Sequence, residues 1–319
     1  MAQQSRDLLP LRHPNTLVCV GDALVDLVVR VGELPGRGRT TWGPPPVRVA
    51  GGTAANVAAG LAHLGQPTAF LGRVGDDDNG RFLTEDLQTR GVDVRGVVRD
   101  PEAGTGVAIS LVEPDGERTF VACALGAAQS RLVDADLAPL RERPPLAVFL
   151  TGLLVLEEPA RGTTLRLAAW LREAGVTTYF DPNLRQPGAT MPPALRDAML
   201  TLAAAATVTL AGDAEARDLG LAPRPGQHLV VKRGDHGASL WRDTSEVVDV
   251  PGVPVSVVDA TGAGDAFDAA FIAAHLEGQS EREALAFANV AAALSVEHLG
   301  ARAMPERETV VRRLAMAAP

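Results

Sequence analysis

The chain is short of lysine, cysteine and tyrosine: among 319 residues there is one lysine (Lys232, against 29 arginines), two cysteines and one tyrosine (Tyr179). Each shortage removes a class of function. Lys232 is followed by Arg233-Gly234, so the sequence holds neither the Gly-Lys-[Ser/Thr] of a P-loop nor a strand lysine ahead of a protein-kinase catalytic loop. Cys19 and Cys123 each lie in an apolar, strand-like run, which predicts two buried free thiols and no disulfide framework. The six histidines (His13, His63, His228, His236, His275, His298) are scattered, with no HExxH and no Cys/His cluster to hold zinc.

Long hydrophobic runs are also missing. The most apolar stretch, Ala198 to Ala211, is too short and too rich in threonine to cross a bilayer, and the N-terminal MAQQSRDLLPLRHPN lacks the apolar region of a signal peptide. Both point to a cytoplasmic protein with no membrane partner, whose residues 1–15 form a loose tail. A net charge of −9 argues against nucleic acid as a partner, so an anionic ligand would have to be held by local features.

What the sequence does have is an alternation of apolar strand-like runs and small-residue helices, in a chain long enough to bury a large α/β core. Two glycine-rich bends punctuate it. In Val257-Val258-Asp259-Ala260-Thr261-Gly262-Ala263-Gly264-Asp265-Ala266-Phe267 the pattern reads as strand, tight turn, helix. The opening turn of a helix presents unpaired N–H groups and positive potential, so a phosphate fits there without a basic side chain. Asp265, placed among those N–H groups, suits the task of accepting a proton from an attacking hydroxyl. The alternative for Asp259 and Asp265 is ordinary turn and cap chemistry. The second bend, Val49-Ala50-Gly51-Gly52-Thr53-Ala54-Ala55-Asn56, repeats the logic, and Asn56 in the first helical turn can donate to and accept from a polyol.

Several other stretches carry candidates. Asp26 interrupts an apolar strand and requires either a sugar diol or a core arginine as partner. Three aspartates, Asp76, Asp77 and Asp78, lack the alternation of a calcium loop, and one of them is expected to cap the following helix. Residues 105–112 and 118–124, joined by Glu113-Pro114-Asp115-Gly116-Glu117, read as a hairpin outside the main sheet. Asp181-Pro182-Asn183-Leu184-Arg185 follows a strand at the edge where open α/β sheets bind ligands, though Asp181 and Arg185 could simply pair with each other.

The string VDATGAGDAF resembles the C-terminal signature of the PfkB family, the ribokinase-like carbohydrate kinases, and the resemblance extends from about Thr16 to Ala301. It implies a three-layer αβα sandwich with a mostly parallel central sheet, and a small β-sheet lid from about 30–48 and 104–124, within a single kinase unit over 16–319. It implies transfer of the ATP γ-phosphoryl to a hydroxyl of a small sugar or sugar acid, in the manner of a fructokinase or a 2-keto-3-deoxygluconate kinase. Thr53, where ribokinases proper often carry lysine, makes ribose a poorer fit.

By the same resemblance Asp265 is the catalytic base and the amides of Gly262, Ala263 and Gly264 are the anion hole. Asp26, Gly51, Gly52 and Asn56 contact the sugar. Lys232, Gly234, Gly237 and Thr261 lie near ATP, and Lys232 at a strand end could equally be a solvated surface residue. Glu215 would organise Mg2+ through water, although Gly212 replaces the asparagine usual in that motif. Asp259, Thr261 and Ser295 could hold a monovalent cation such as K+, and the lid could form a homodimer. The rivals are a nucleoside kinase of the same superfamily, for which 4% aromatic residues offer little base-stacking, and a catalytically weak sugar-binding member. A Rossmann dehydrogenase would need a third glycine where Phe267 stands.

Overall fold

A computed structural model describes residues 15–114, 117–184, 191–242, 247–298 and 300–317. The expected tail therefore lies almost entirely outside the described residues, as do Asp115 and Gly116 of the hairpin turn and Arg185.

Nine strands form the main sheet in the order β13-β12-β11-β10-β9-β8-β1-β4-β5. Seven are parallel: β1 (Leu17–Val20), β4 (Thr68–Gly75), β5 (Asp93–Asp100), β8 (Ala147–Thr151), β9 (Thr177–Asp181), β10 (Val208–Gly212) and β11 (His228–Lys232). The hairpin of β12 (Ala238–Trp241) and β13 (Val247–Val250) closes one edge in antiparallel fashion. Alternation along the strands builds two cores. Leu17, Cys19, Ala147, Phe149 and Tyr179 face one layer, while Val18, Val20, Val148, Leu150 and Phe180 face the other. The first layer holds α1 (Thr53–His63), α2 (Asp78–Thr89), α7 (Ala263–Leu276), α8 (Glu281–Ser295) and α9 (Arg307–Ala317); the second holds α4 (Ala160–Glu173) and α5 (Pro193–Ala205). The short α3 (Ala138–Glu142) joins the second layer, and α6 (Asp213–Leu219) packs on β10 and β11. This is the three-layer sandwich expected from sequence.

A second sheet, in the order β3-β2-β6-β7, comprises β2 (Leu24–Arg30), β3 (Val47–Gly51), β6 (Val107–Val112) and β7 (Arg118–Cys123). The hairpin appears where the sequence placed it, but residues 31–46, expected to contribute to the lid, carry no strand. Their Gly/Pro/Arg composition leaves no alternating apolar face to pair, so the flanking β2 and β3 supply that side of the sheet. Two further expectations change. Cys123 is exposed on the edge strand β7, whereas Cys19 is buried and its thiol is pushed up by desolvation. Val257-Val258, read as the end of a strand, pairs with no sheet: both are exposed, and the amides of Val258 and Asp259 both donate to the carbonyl of Val296 at the end of α8. Among the described residues no helix is long and apolar enough to cross a membrane.

Candidate active site

The carboxyl ends of the parallel strands and the amino ends of α1 and α7 share one edge of the molecule, the edge at which open parallel sheets bind ligands. Two features of the sequence bring them together. Along their contact α1 and α7 are lined with alanine and glycine; a Cβ on Gly60 would come within 2.8 Å of the Ala269 Cβ, so the helices pack close enough for their first turns to touch. Each first turn then begins on glycine, Gly52 before α1 and Gly262 before α7.

Gly262 has φ +79°, and a side chain there would lie 2.4 Å from the Ala301 carbonyl oxygen. Only glycine meets both demands. At Gly264 a Cβ would meet nothing closer than the Lys232 Nζ at 3.6 Å, so a cation stands beside the turn, in which the Ala263 amide donates to the Ala260 carbonyl at 3.3 Å. Asp265 follows in the first turn of α7, half-buried, and its Oδ2 accepts from the Asn56 amide across 2.7 Å. Asp26 lies on the same side: a Cβ on Gly51 would fall 2.2 Å from the Asp26 Oδ2, so the missing side chain at Gly51 makes room for that carboxylate. Asp26, Gly51, Gly52, Asn56, Gly262, Ala263, Gly264 and Asp265 are thus gathered at one place although the two motifs are some 200 residues apart.

The aspartate motif after β9 joins them. Asp181 Oδ1 accepts from the Asn183 amide at 2.8 Å, which holds Asn183 at φ +39° and turns its side-chain amide onto the Thr53 hydroxyl at the start of α1. Lys232, expected near ATP with a solvated surface position as the alternative, is largely buried and paired. Its side chain is 14% exposed, with the ammonium 2.9 Å from Asp268 Oδ1 and 3.1 Å from Asp181 Oδ2. Burial would lower the lysine, but Asp181, Asp268 and Glu215 outweigh it and hold the group charged. Burial pushes the Asp268 carboxyl well up, and its Oδ2 has no hydrogen-bond partner.

Glu215 caps α6, accepting from the Gly212 amide at 2.6 Å and from Leu184 at 2.6 Å. Its carboxyl is raised by burial and by the neighbouring Asp181 charge, with Lys232 opposing. Asp259 turns the chain into α7. It accepts from the amides of Thr261 at 2.8 Å and Gly300 at 3.0 Å, and its Oδ1 lies 2.8 Å from the guanidinium of Arg118 on β7, which also donates to the Thr261 hydroxyl. Against the cost of burial these contacts hold Asp259 below the usual carboxylate range. The Ser295 hydroxyl donates to Ala292 O at 2.8 Å and keeps its lone pairs as acceptors. Gly234 and Gly237 form a tight turn after β11, and Gly237 packs against Val250–Gly252 rather than against α7.

Three residues at this edge were not anticipated. Asp22, buried after β1, accepts from the amides of Thr53 at 2.8 Å and Ala54 at 3.4 Å, and so caps α1 from another element. Asp268 faces Lys232, and Arg302 reaches Asn56 from the segment after α8. A polar residue inside the small-residue run of α7 was a signal for Asp268; Asp22 and Arg302 act over separations of 31 and 246 residues, which no local pattern reports. Clefts of about 450 Å³ near Leu200 and about 520 Å³ beside Arg131 lie elsewhere and include none of Asp26, Asn56 and Asp265.

The sequence profile of the pfkB family carbohydrate kinases matches residues 14–308. The chain is 33% identical over 323 residues to probable fructokinase-7 of Arabidopsis thaliana, covering 94% of this chain and 92% of that protein. It is 36% identical over 296 residues to the ATP-dependent ribose-1-phosphate kinase of Halopiger xanaduensis, covering 89% and 93%. A putative ribokinase II of Escherichia coli in complex with ATP and Mg2+ superposes with a TM-score of 0.81 at 26% identity, over 94% of this chain and 100% of that one. With the profile spanning nearly all of a ribokinase-like fold, the chain belongs to the pfkB family of carbohydrate kinases.

Proposed function

We propose that the protein transfers the γ-phosphoryl group of ATP to a hydroxyl of a small sugar, a ketohexose such as fructose being the first candidate. The observation that carries this reading is the 2.7 Å contact between Asn56 and Asp265, which makes one site of the two glycine-led helix starts. Asp26, beside Gly51, and Asn56 would bind the sugar hydroxyls. Asp265 would take the proton of the attacking hydroxyl, and the amides of Gly262, Ala263 and Gly264 would stabilise charge on the transferring phosphoryl oxygens. Thr53 at the start of α1 leaves the sugar side without a lysine, which favours a ketose over ribose.

The residues present fit an anionic nucleotide with its metal. The open first turn of α7, with Lys232 held charged beside it, suits phosphate. Asp181 and Glu215 are oxygen donors of the kind that hold magnesium through its waters, and Glu215 keeps a lone pair on each oxygen beyond the amides it caps. Bound there, Mg2+ would neutralise phosphate charge. A monovalent cation at Asp259, Thr261 and Ser295 would share Asp259 with the Arg118 guanidinium. The exposed edge strand β7, with Phe120 and Val121 facing solvent, is where we place a contact with a second copy of the chain. Phe120→Ser is expected to shift a dimer to monomer in light scattering; an unchanged mass would remove that contact.

The test of function is ADP release from ATP and Mg2+ with fructose, ribose, ribose 1-phosphate, 2-keto-3-deoxygluconate and adenosine as acceptors. Turnover with a sugar and none with adenosine is expected. Turnover of adenosine alone would replace this reading with a nucleoside kinase, and turnover of none with a weak binding protein.

A further inference from the structure

Arg302 is the most buried arginine at this edge, its side chain only 4% exposed, although it lies in the irregular segment between α8 and α9. Burying a guanidinium is costly unless its donors are met. Its Nε donates to the Asn56 Oδ1 at 2.9 Å, one terminal nitrogen donates to the Gly51 carbonyl at 3.2 Å, and the other pairs with Asp86 on α2. Asp86 is steadied in turn by Arg90 at 3.0 Å.

A carboxamide has one accepting and one donating end, and nothing within Asn56 decides which faces Asp265. Arginine can only donate. With Arg302 against it, the Asn56 oxygen is committed to the guanidinium, and the Nδ2 must face the Asp265 carboxylate, where it is found. The reversed amide would set an oxygen against a carboxylate and an N–H group against a guanidinium. The same guanidinium holds the Gly51 carbonyl, next to the Asp26 carboxylate.

We infer that Arg302 is a positioning residue for phosphoryl transfer: anchored by Asp86, it holds the oxygen end of the Asn56 amide and so keeps the nitrogen end, and through it Asp265, in place. The inference rests on the kinase reading for its consequence in turnover, but the geometry can be examined without turnover.

The test compares wild type, Arg302→Met, Asn56→Ala and the double variant, with Arg302→Met/Asp86→Asn added so that no unpaired carboxylate remains to unfold the chain. On the sugar that supports turnover, Arg302→Met should lower kcat by about 10²-fold, the scale of a misplacement near 1 Å, with KM for ATP unchanged. Because Arg302 acts through Asn56, adding Arg302→Met to Asn56→Ala should cost less than threefold more. A crystal structure of Arg302→Met/Asp86→Asn should show the Asn56 side chain moved from its wild-type position, with the 2.7 Å contact to Asp265 lengthened. An unchanged kcat, losses that multiply in the double variant, or an Asn56–Asp265 contact preserved without Arg302 would each overturn the inference. Should the wild type turn over no sugar, the kinase reading fails, and the crystal structure alone still decides whether Arg302 sets the amide.

Discussion

The ammonium of Lys232 stands 2.9 Å from the carboxylate of the fully buried Asp268, a largely buried pair beside the first turn of α7 that is shared with Asp181 at 3.1 Å. The one lysine of the chain therefore joins the end of β11, the end of β9 and the helix that carries Asp265.

Removing one partner of such a buried group strands the other. Lys232→Met is expected to cost about 3 to 5 kcal/mol in urea unfolding, whereas Lys232→Met/Asp268→Asn, which leaves one charge fewer uncompensated, should recover part of that loss. Equal destabilisation by the single and double variants would mean that the pair is not the source of the effect.

Gly262→Ala should damage both stability and turnover. The added methyl is aimed at the Ala301 carbonyl at 2.4 Å from a backbone at φ +79°. Strain of this kind costs about 1 to 3 kcal/mol, and displacing the amides that would face phosphate should lower kcat by about 10²-fold. Thermal unfolding together with steady-state kinetics reads both; wild-type values in each would refute the cradle geometry.

Asp77 ties the start of α2 to the segment before β6, accepting from the Gly80 amide at 2.7 Å, the Thr105 amide at 2.8 Å and the Thr105 hydroxyl at 2.7 Å. Burial alone would raise its carboxyl; these bonds outweigh that and hold it below the usual range. A depressed carboxyl binds fewer protons folded than unfolded, so its stabilisation is present above the unfolded value near 3.9 and is lost as pH falls through the folded one. Asp77→Ala should cost about 1 kcal/mol at neutral pH and flatten the loss of stability below about pH 4. A variant with the same acid-side slope as wild type would place the titration elsewhere.

Much of this fold was legible because its strands are short, apolar and separated by helices that begin at recognisable points: the glycine pair before Thr53, the aspartate run before α2 and the GAGD turn before α7. The capping aspartate proved to be Asp77, the second of the three. Misreadings came where partners distant in sequence decide the outcome. Val257 and Val258 have strand propensity, yet they pair with no sheet and the amides of Val258 and Asp259 dock on the end of α8. Cys123 sits in an apolar run whose strand is a sheet edge, so the run is exposed. Asn56 and Asp265 were each visible as candidates; that Arg302 would stand behind them was not, since only the folded chain brings Gly300-Ala301-Arg302 to α1.

The central claim is that the acid at the start of α7 takes the proton of the acceptor alcohol, and Asp265→Asn tests it with almost no change of shape. Turnover of the preferred sugar with ATP and Mg2+ should fall by at least about 10²-fold, the lower end of a general base's contribution, while the melting temperature stays close to wild type. A variant that keeps most of the wild-type kcat would contradict the account.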